Sequence, residues 1–155
     1  MLVTDRGRFP PPLPGEVLAR AEAGTIEKAL ARGVEAVQLR EKDLDGGPLL
    51  ARALCLRAMC DAHGTRLIVN GRADIACAAG ADGIHLPSGG LSVATARELL
   101  PSGTVVGCSI HDRRDLAWAA GADYVIFGPI FETSSKPGYG PAQGPAGLAA
   151  IVAEA

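Results

Sequence analysis

No two cysteines in this chain have the C-x-x-C spacing of a redox or zinc motif, although Cys55, Cys60, Cys77 and Cys108 are all present. Their apolar contexts mark them as reduced core residues of a cytoplasmic protein. Cys55 and Cys60, five apart in one helical stretch, fall on different faces, which argues against a structural zinc site. Also missing is any apolar run near the ~20 residues that a membrane span requires. The N-terminus, MLVTDRGRFP, is charged early and lacks the apolar centre of an export signal, so a soluble protein is expected. Excess positive charge is missing too: 15 Lys and Arg against 17 Asp and Glu leave a net charge of −2. That balance offers no broad basic field for nucleic acid, and an anionic small molecule would need a local basic site. What is present is a globular composition, 48% hydrophobic and 21% charged over 155 residues, enough for one domain (residues 1–155) with a real core.

Short β-runs alternate with helical stretches along the chain. Leu2 to Thr4 reads as a very short strand, and the proline-rich Gly7 to Gly15 as an exposed, stiff loop. Glu16 to Arg32 is helical, with a break at Gly24-Thr25 where Thr25 can cap a new start. Val34 to Arg40 is a strand presenting Gln38 and Arg40 on one face, and Gly47 to His63 is the helix after it. Arg66 to Val69 is a third strand, turned by Asn70-Gly71-Arg72 into a helix through Ala79. Gly83 to Leu86 and Thr104 to Cys108 follow as strands, with helices to Leu100 (capped by Ser92) and over Asp112 to Ala120. Asp123 to Phe127 is the sixth strand, ended by Gly128-Pro129, and Pro145 to Ala155 starts a sixth helix. One device recurs at Gly33-Val34-Glu35, Gly80-Ala81-Asp82 and Gly121-Ala122-Asp123: a helix-ending glycine, then an acidic residue, then a β-run. It marks successive βα units of a parallel α/β sheet.

Polar residues bunch after strands two to six. Gln38, Arg40, Glu41, Lys42 and Asp43 close the second, Asn70 the third, His85 and Ser88 the fourth, Ser109 and His111 the fifth. Thr133, Ser134, Ser135 and Lys136 follow the sixth, where hydroxyls and one ammonium can hold an anion without a metal. Chemistry at so many strand ends favours a barrel over an open sheet with one switch point. Arg40 serves equally well as an anion ligand or as an ion-pair partner of Glu41 or Asp5. His85, inside a strand whose neighbours point the other way, reads as a satisfied inner residue.

Taken together, LVTD, QLREK, NGRADIA, GADGIHLPSG and ADYVIFGPIFETSSKPG resemble the thiamine-phosphate synthases and their relatives the thiazole tautomerases. The resemblance implies a TIM (β/α)8 barrel with a role in thiamine biosynthesis. It also implies that Gln38, Arg40, Lys42 and Asn70, with the loop residues Thr133, Ser135 and Lys136, meet a thiazole phosphate or pyrimidine diphosphate. Synthases carry N-D-R and H-L-G-Q-E-D, whose aspartates hold magnesium; here the same places read Asn70-Gly71-Arg72 and His85-Leu86-Pro87-Ser88-Gly89-Gly90. Asp74 and Asp82 stand close by in sequence at places where the family keeps no ligand. NGR and LPSG are instead similar to the tautomerase branch, which implies metal-independent aromatisation of a carboxylated thiazole phosphate with His111 as general acid and base and no cofactor. A synthase that needs magnesium, and an inactive remnant that binds thiazole phosphate, are the alternatives.

Six strands are counted where a (β/α)8 barrel has eight. The expectation is therefore an incomplete barrel, C-terminally truncated within helix six. Completion by association, or descent into a remnant, stays open beside truncation. In each case the edges of strands one and six lack partners and favour self-association.

Overall fold

The computed structural model describes residues 1–8, 15–132 and 141–154. Six strands form one sheet in the order β1-β2-β3-β4-β5-β6: β1 (Leu2–Val3), β2 (Ala36–Leu39), β3 (Arg66–Asn70), β4 (Gly83–Leu86), β5 (Val105–Ile110) and β6 (Tyr124–Phe127). Every neighbouring pair is parallel, from Leu2 opposite Val37 to Ile110 opposite Phe127. Each connection is therefore a crossover, carried by α1 (Gly15–Leu30), α2 (Gly46–His63), α3 (Ala73–Ala78), α4 (Val93–Leu99) and α5 (Asp115–Trp118), with α6 (Gly144–Glu154) after β6. A sheet that winds in one direction without reversal is the beginning of a barrel. With six strands it is an incomplete one, and β1 and β6 do not pair with each other among the described residues.

Strand alternation divides the sheet into two faces. Val37, Leu39, Leu67, Val69, Ile84, Leu86, Val106, Cys108 and Ile110 point outward and are fully buried in one core with Ile26, Leu49, Ala53, Leu56 and Ile75 of the helices. Burying one such side chain stabilises by about 1.5–3 kcal/mol, so this face supplies most of the folding energy. The alternate residues face the barrel interior. Gly107 is among them, and a Cβ there would lie 2.0 Å from the Tyr124 ring, so that ring can lie across β5 only over a glycine.

The recurring glycine-acid device has a physical role. Gly33, Gly80 and Gly121 have φ of 79°, 58° and 83°, the left-handed turn that ends a helix. Asp82 then accepts from the Leu67 amide of the preceding strand (2.7 Å) and from Arg57 (2.6 Å). Two units later, Asp123 accepts from the Val106 amide (2.6 Å) and from Arg97 (2.8 Å). Burial pushes the Asp82 carboxyl up, but its bonds from Arg57 and Leu67 outweigh that and hold it below the usual range. At Asp123 the Val106 amide is the main cause of a lowered value, against some desolvation and with help from Arg97. Each carboxylate is a clip at the N-terminal end of the sheet.

Several sequence expectations change. The Gly24-Thr25 break does not occur, because Thr25 Oγ1 donates back to the Ala21 carbonyl (2.9 Å) within a continuous α1. The segment after β1 begins with a 3-10 turn at Arg6–Arg8 rather than a loop. The helix expected over Asp112 to Ala120 contracts to Asp115–Trp118, since the Asp112 side chain is drawn to the Arg114 amide and guanidinium. Cys60 and Cys108 are core residues, but Cys55 and Cys77 are exposed. The stiff loop expected at Pro10 to Pro14 lies outside the described residues.

Candidate active site

The inner face carries polar residues where the outer one carries Val, Leu and Ile. Gln38, only 3% exposed, donates from Nε2 to Asn70 Oδ1 on the next strand (3.3 Å). Further round, His85 is buried and lies against the Tyr124 ring, with centroids 5.7 Å apart. Its Nδ1 meets the Tyr124 hydroxyl at 3.2 Å and its Nε2 meets Ser109 Oγ at 2.7 Å. Burial pushes the Tyr124 phenol up to about 12, which keeps it protonated. If that hydroxyl donates to Nδ1, Nε2 carries the ring proton and donates to Ser109. His85 is thus the satisfied inner residue that its strand position suggested.

Two adjoining hollows open along this face and share Arg40, Asn70 and Ser109. The inner one, about 370 Å³, is walled by Gln38, His85, Thr4, Asp5, Val3 and Ile126 besides the shared residues. The upper one, about 250 Å³, lies over the C-terminal ends of β2 to β5 and adds Lys42, Pro87, Ser88 and His111. Among the described residues its wall holds two cations, Arg40 and Lys42, and no carboxylate.

That separation of charge arises where β2 ends. Glu41 turns away from the hollow and is buried (7% exposed) beside Arg52 (3.6 Å) and Arg6, while Arg52 also pairs with the buried Glu22. Asp43 pairs with Arg6 on the outside. Arg40 and Lys42 stay on the hollow side, and among the described residues neither has an ion-pair partner. The ion pair considered for Arg40 with Glu41 or Asp5 does not form; Glu41 is engaged by Arg6 and Arg52.

His111 follows β5. Its amide donates to Asp115 Oδ2 (2.8 Å) and its Nδ1 contacts the Gly128 carbonyl beyond β6. A carbonyl can only accept, so Nδ1 bears the proton and Nε2 is the basic nitrogen of the neutral ring. Of the residues anticipated from sequence, Arg40, Lys42, Asn70 and His111 meet in the upper hollow, and Gln38 joins Arg40 and Asn70 in the inner one. Thr133, Ser135 and Lys136 lie outside the described residues. Sequence reading did not assign Ser109 to the site; its alternation with Gly107 on β5, opposite Ile126 and Tyr124, was the signal that points it inward.

Against known proteins, a family model described as thiamine monophosphate synthase matches residues 2–155. A putative thiamine-phosphate synthase of Geobacter sulfurreducens is 50% identical over 131 residues, covering 83% of this chain and 62% of its own length. The thiamine-phosphate synthase of Methanoculleus marisnigri is 43% identical, covering 85% and 64%, and that of Chlorobium limicola is 40% identical, covering 97% and 67%. Among solved structures, a thiamine phosphate pyrophosphorylase from Pyrococcus furiosus superposes with a TM-score of 0.80 at 26% identity, covering 99% of this chain and 69% of its own. The chain therefore spans 62% to 67% of the length of these curated relatives. Their names overturn the tautomerase expectation. NGR and LPSG are two short departures, and sequences alike over most of this chain are synthases by name.

Proposed function

Because the chain belongs to the thiamine monophosphate synthase family, we propose that it serves thiamine-phosphate synthesis, a transferase coupling a pyrimidine diphosphate to a thiazole phosphate. The observation that supports this best is the upper hollow, where the described residues place Arg40 and Lys42 and no carboxylate, joined through Asn70 and Ser109 to the inner one. Coupling releases pyrophosphate, so the site must hold a multiply charged anion beside an uncharged ring. Arg40 offers a planar fork and Lys42 a point charge to the phosphates. Gln38 and Asn70, already bonded to each other, present amide edges to the ring, and His85, held from behind by Tyr124, lines the same inner hollow. His111, with Nε2 as its basic nitrogen, accepts a hydrogen bond at the rim of the upper hollow. Holding both reactants in one cleft is the main source of rate in such a transfer.

The experiment is incubation of the chain with both phosphorylated substrates and chromatographic detection of thiamine phosphate. Product that disappears in the Arg40→Ala variant supports the reading. Binding of the thiazole phosphate with no product from the pair would favour the binding-only alternative.

A further inference from the structure

Family resemblance implies a magnesium ion held by aspartates after β3 and β4, and the residues of this chain do not fit it. Gly71 (φ +69°) and Gly90 stand at those places, and neither has a side chain to offer. A Cβ on Gly90 would lie 2.9 Å from the Pro87 carbonyl, too close for a side chain without a shift of the turn, whereas one on Gly71 would meet Pro87 Cδ at an ordinary contact of 3.4 Å. Of other nearby carboxylates, Asp74 is bound twice by Arg72 (2.8 and 2.6 Å) and Asp43 pairs with Arg6. Asp5 lies in the inner hollow, where it accepts from the Gly7 amide (3.1 Å). Segments 9–14 and 133–140 contain no Asp or Glu. Magnesium is a hard ion that takes one or two carboxylates beside substrate phosphates. At this wall it would find the neutral oxygens of Asn70 and Ser88 and the repulsion of two cations.

We propose that the upper hollow binds a pyrophosphate-bearing ligand directly through Arg40 and Lys42, with no divalent cation. The inference rests on the reading of this pocket as the diphosphate site. Its probe is inorganic pyrophosphate, titrated calorimetrically into the chain once with excess magnesium and once with chelator. The two affinities should agree within about threefold, and the Arg40→Ala/Lys42→Ala double variant should lose more than about tenfold in both buffers. Chelator weakening the chain's own binding more than about tenfold overturns the proposal. So does absence of binding in both buffers, or metal-free binding that survives the double variant. Product assays in the same two buffers separate this inference from the synthase reading. Thiamine phosphate formed only with magnesium keeps the synthase and sinks metal independence. Metal-indifferent pyrophosphate binding with no product in either buffer does the reverse.

Discussion

The two ends of this sheet use the same kinds of residue to opposite purposes. At the N-terminal end, Asp82 and Asp123 each meet an arginine and a strand amide, so charge is consumed within the fold. At the C-terminal end, Glu41 is drawn into the helices by Arg52 and Arg6, while Arg40 and Lys42 remain facing a hollow. Pairing, not residue type, separates charge consumed within the fold from charge left facing a hollow. In a barrel the N-terminal end serves stability and the C-terminal end chemistry, and six strands suffice to show that division.

The sharpest way to break this contrast is at Arg40. Arg40→Ala should weaken pyrophosphate by about 100-fold, ~2.7 kcal/mol, while leaving the thermal midpoint nearly unchanged. A large fall in the midpoint would show that Arg40 is structural as well. Asp82→Ala should do the opposite. It strands the Leu67 amide and takes one of two carboxylates from Arg57, which keeps Asp61, costing about 2 kcal/mol in denaturant titration with pyrophosphate affinity intact. The same clip has a pH signature. The Asp82 and Asp123 carboxyls titrate below their unfolded value of about 3.9, so their contribution is complete above that pH and is lost as pH falls through the lower folded values. The Asp82→Asn/Asp123→Asn variant should therefore unfold with a flatter acid limb below about pH 4, followed by circular dichroism. The smallest effect expected is at Ser92, which caps α4 just beyond the pocket loop and accepts from the Thr95 amide (3.1 Å). Ser92→Ala should cost about 1 kcal/mol and spare binding, showing that the C-terminal end also contains purely structural residues.

Much of the fold was legible because it rests on local signals. Gly33, Gly80 and Gly121 announced helix ends, β4 was bounded correctly, and Ser92 was read as a cap. Thr25 misled because a threonine after glycine favours a helix start only when its hydroxyl has no carbonyl one turn back to bond. The family branch misled for a related reason: Gly71 and Gly90 lack the acidic side chains of the family motifs, but NGR and LPSG are too short to outweigh likeness over most of the chain.

By itself the sequence determined the parallel βα order and the shared face of Gln38 and Arg40, because alternation and glycine turns act over a few residues. It also determined that no acidic side chain stands at Gly71 or Gly90. Only tertiary structure decided where the charges of QLREK go. Glu41 and Arg40 are adjacent in sequence, yet one is buried against Arg52 of α2 and the other lines a hollow with Asn70, Ser109 and His111 from two other units. Ion pairs form between groups that packing brings within a few ångströms, and that distance is set by helices and strands far apart in the chain.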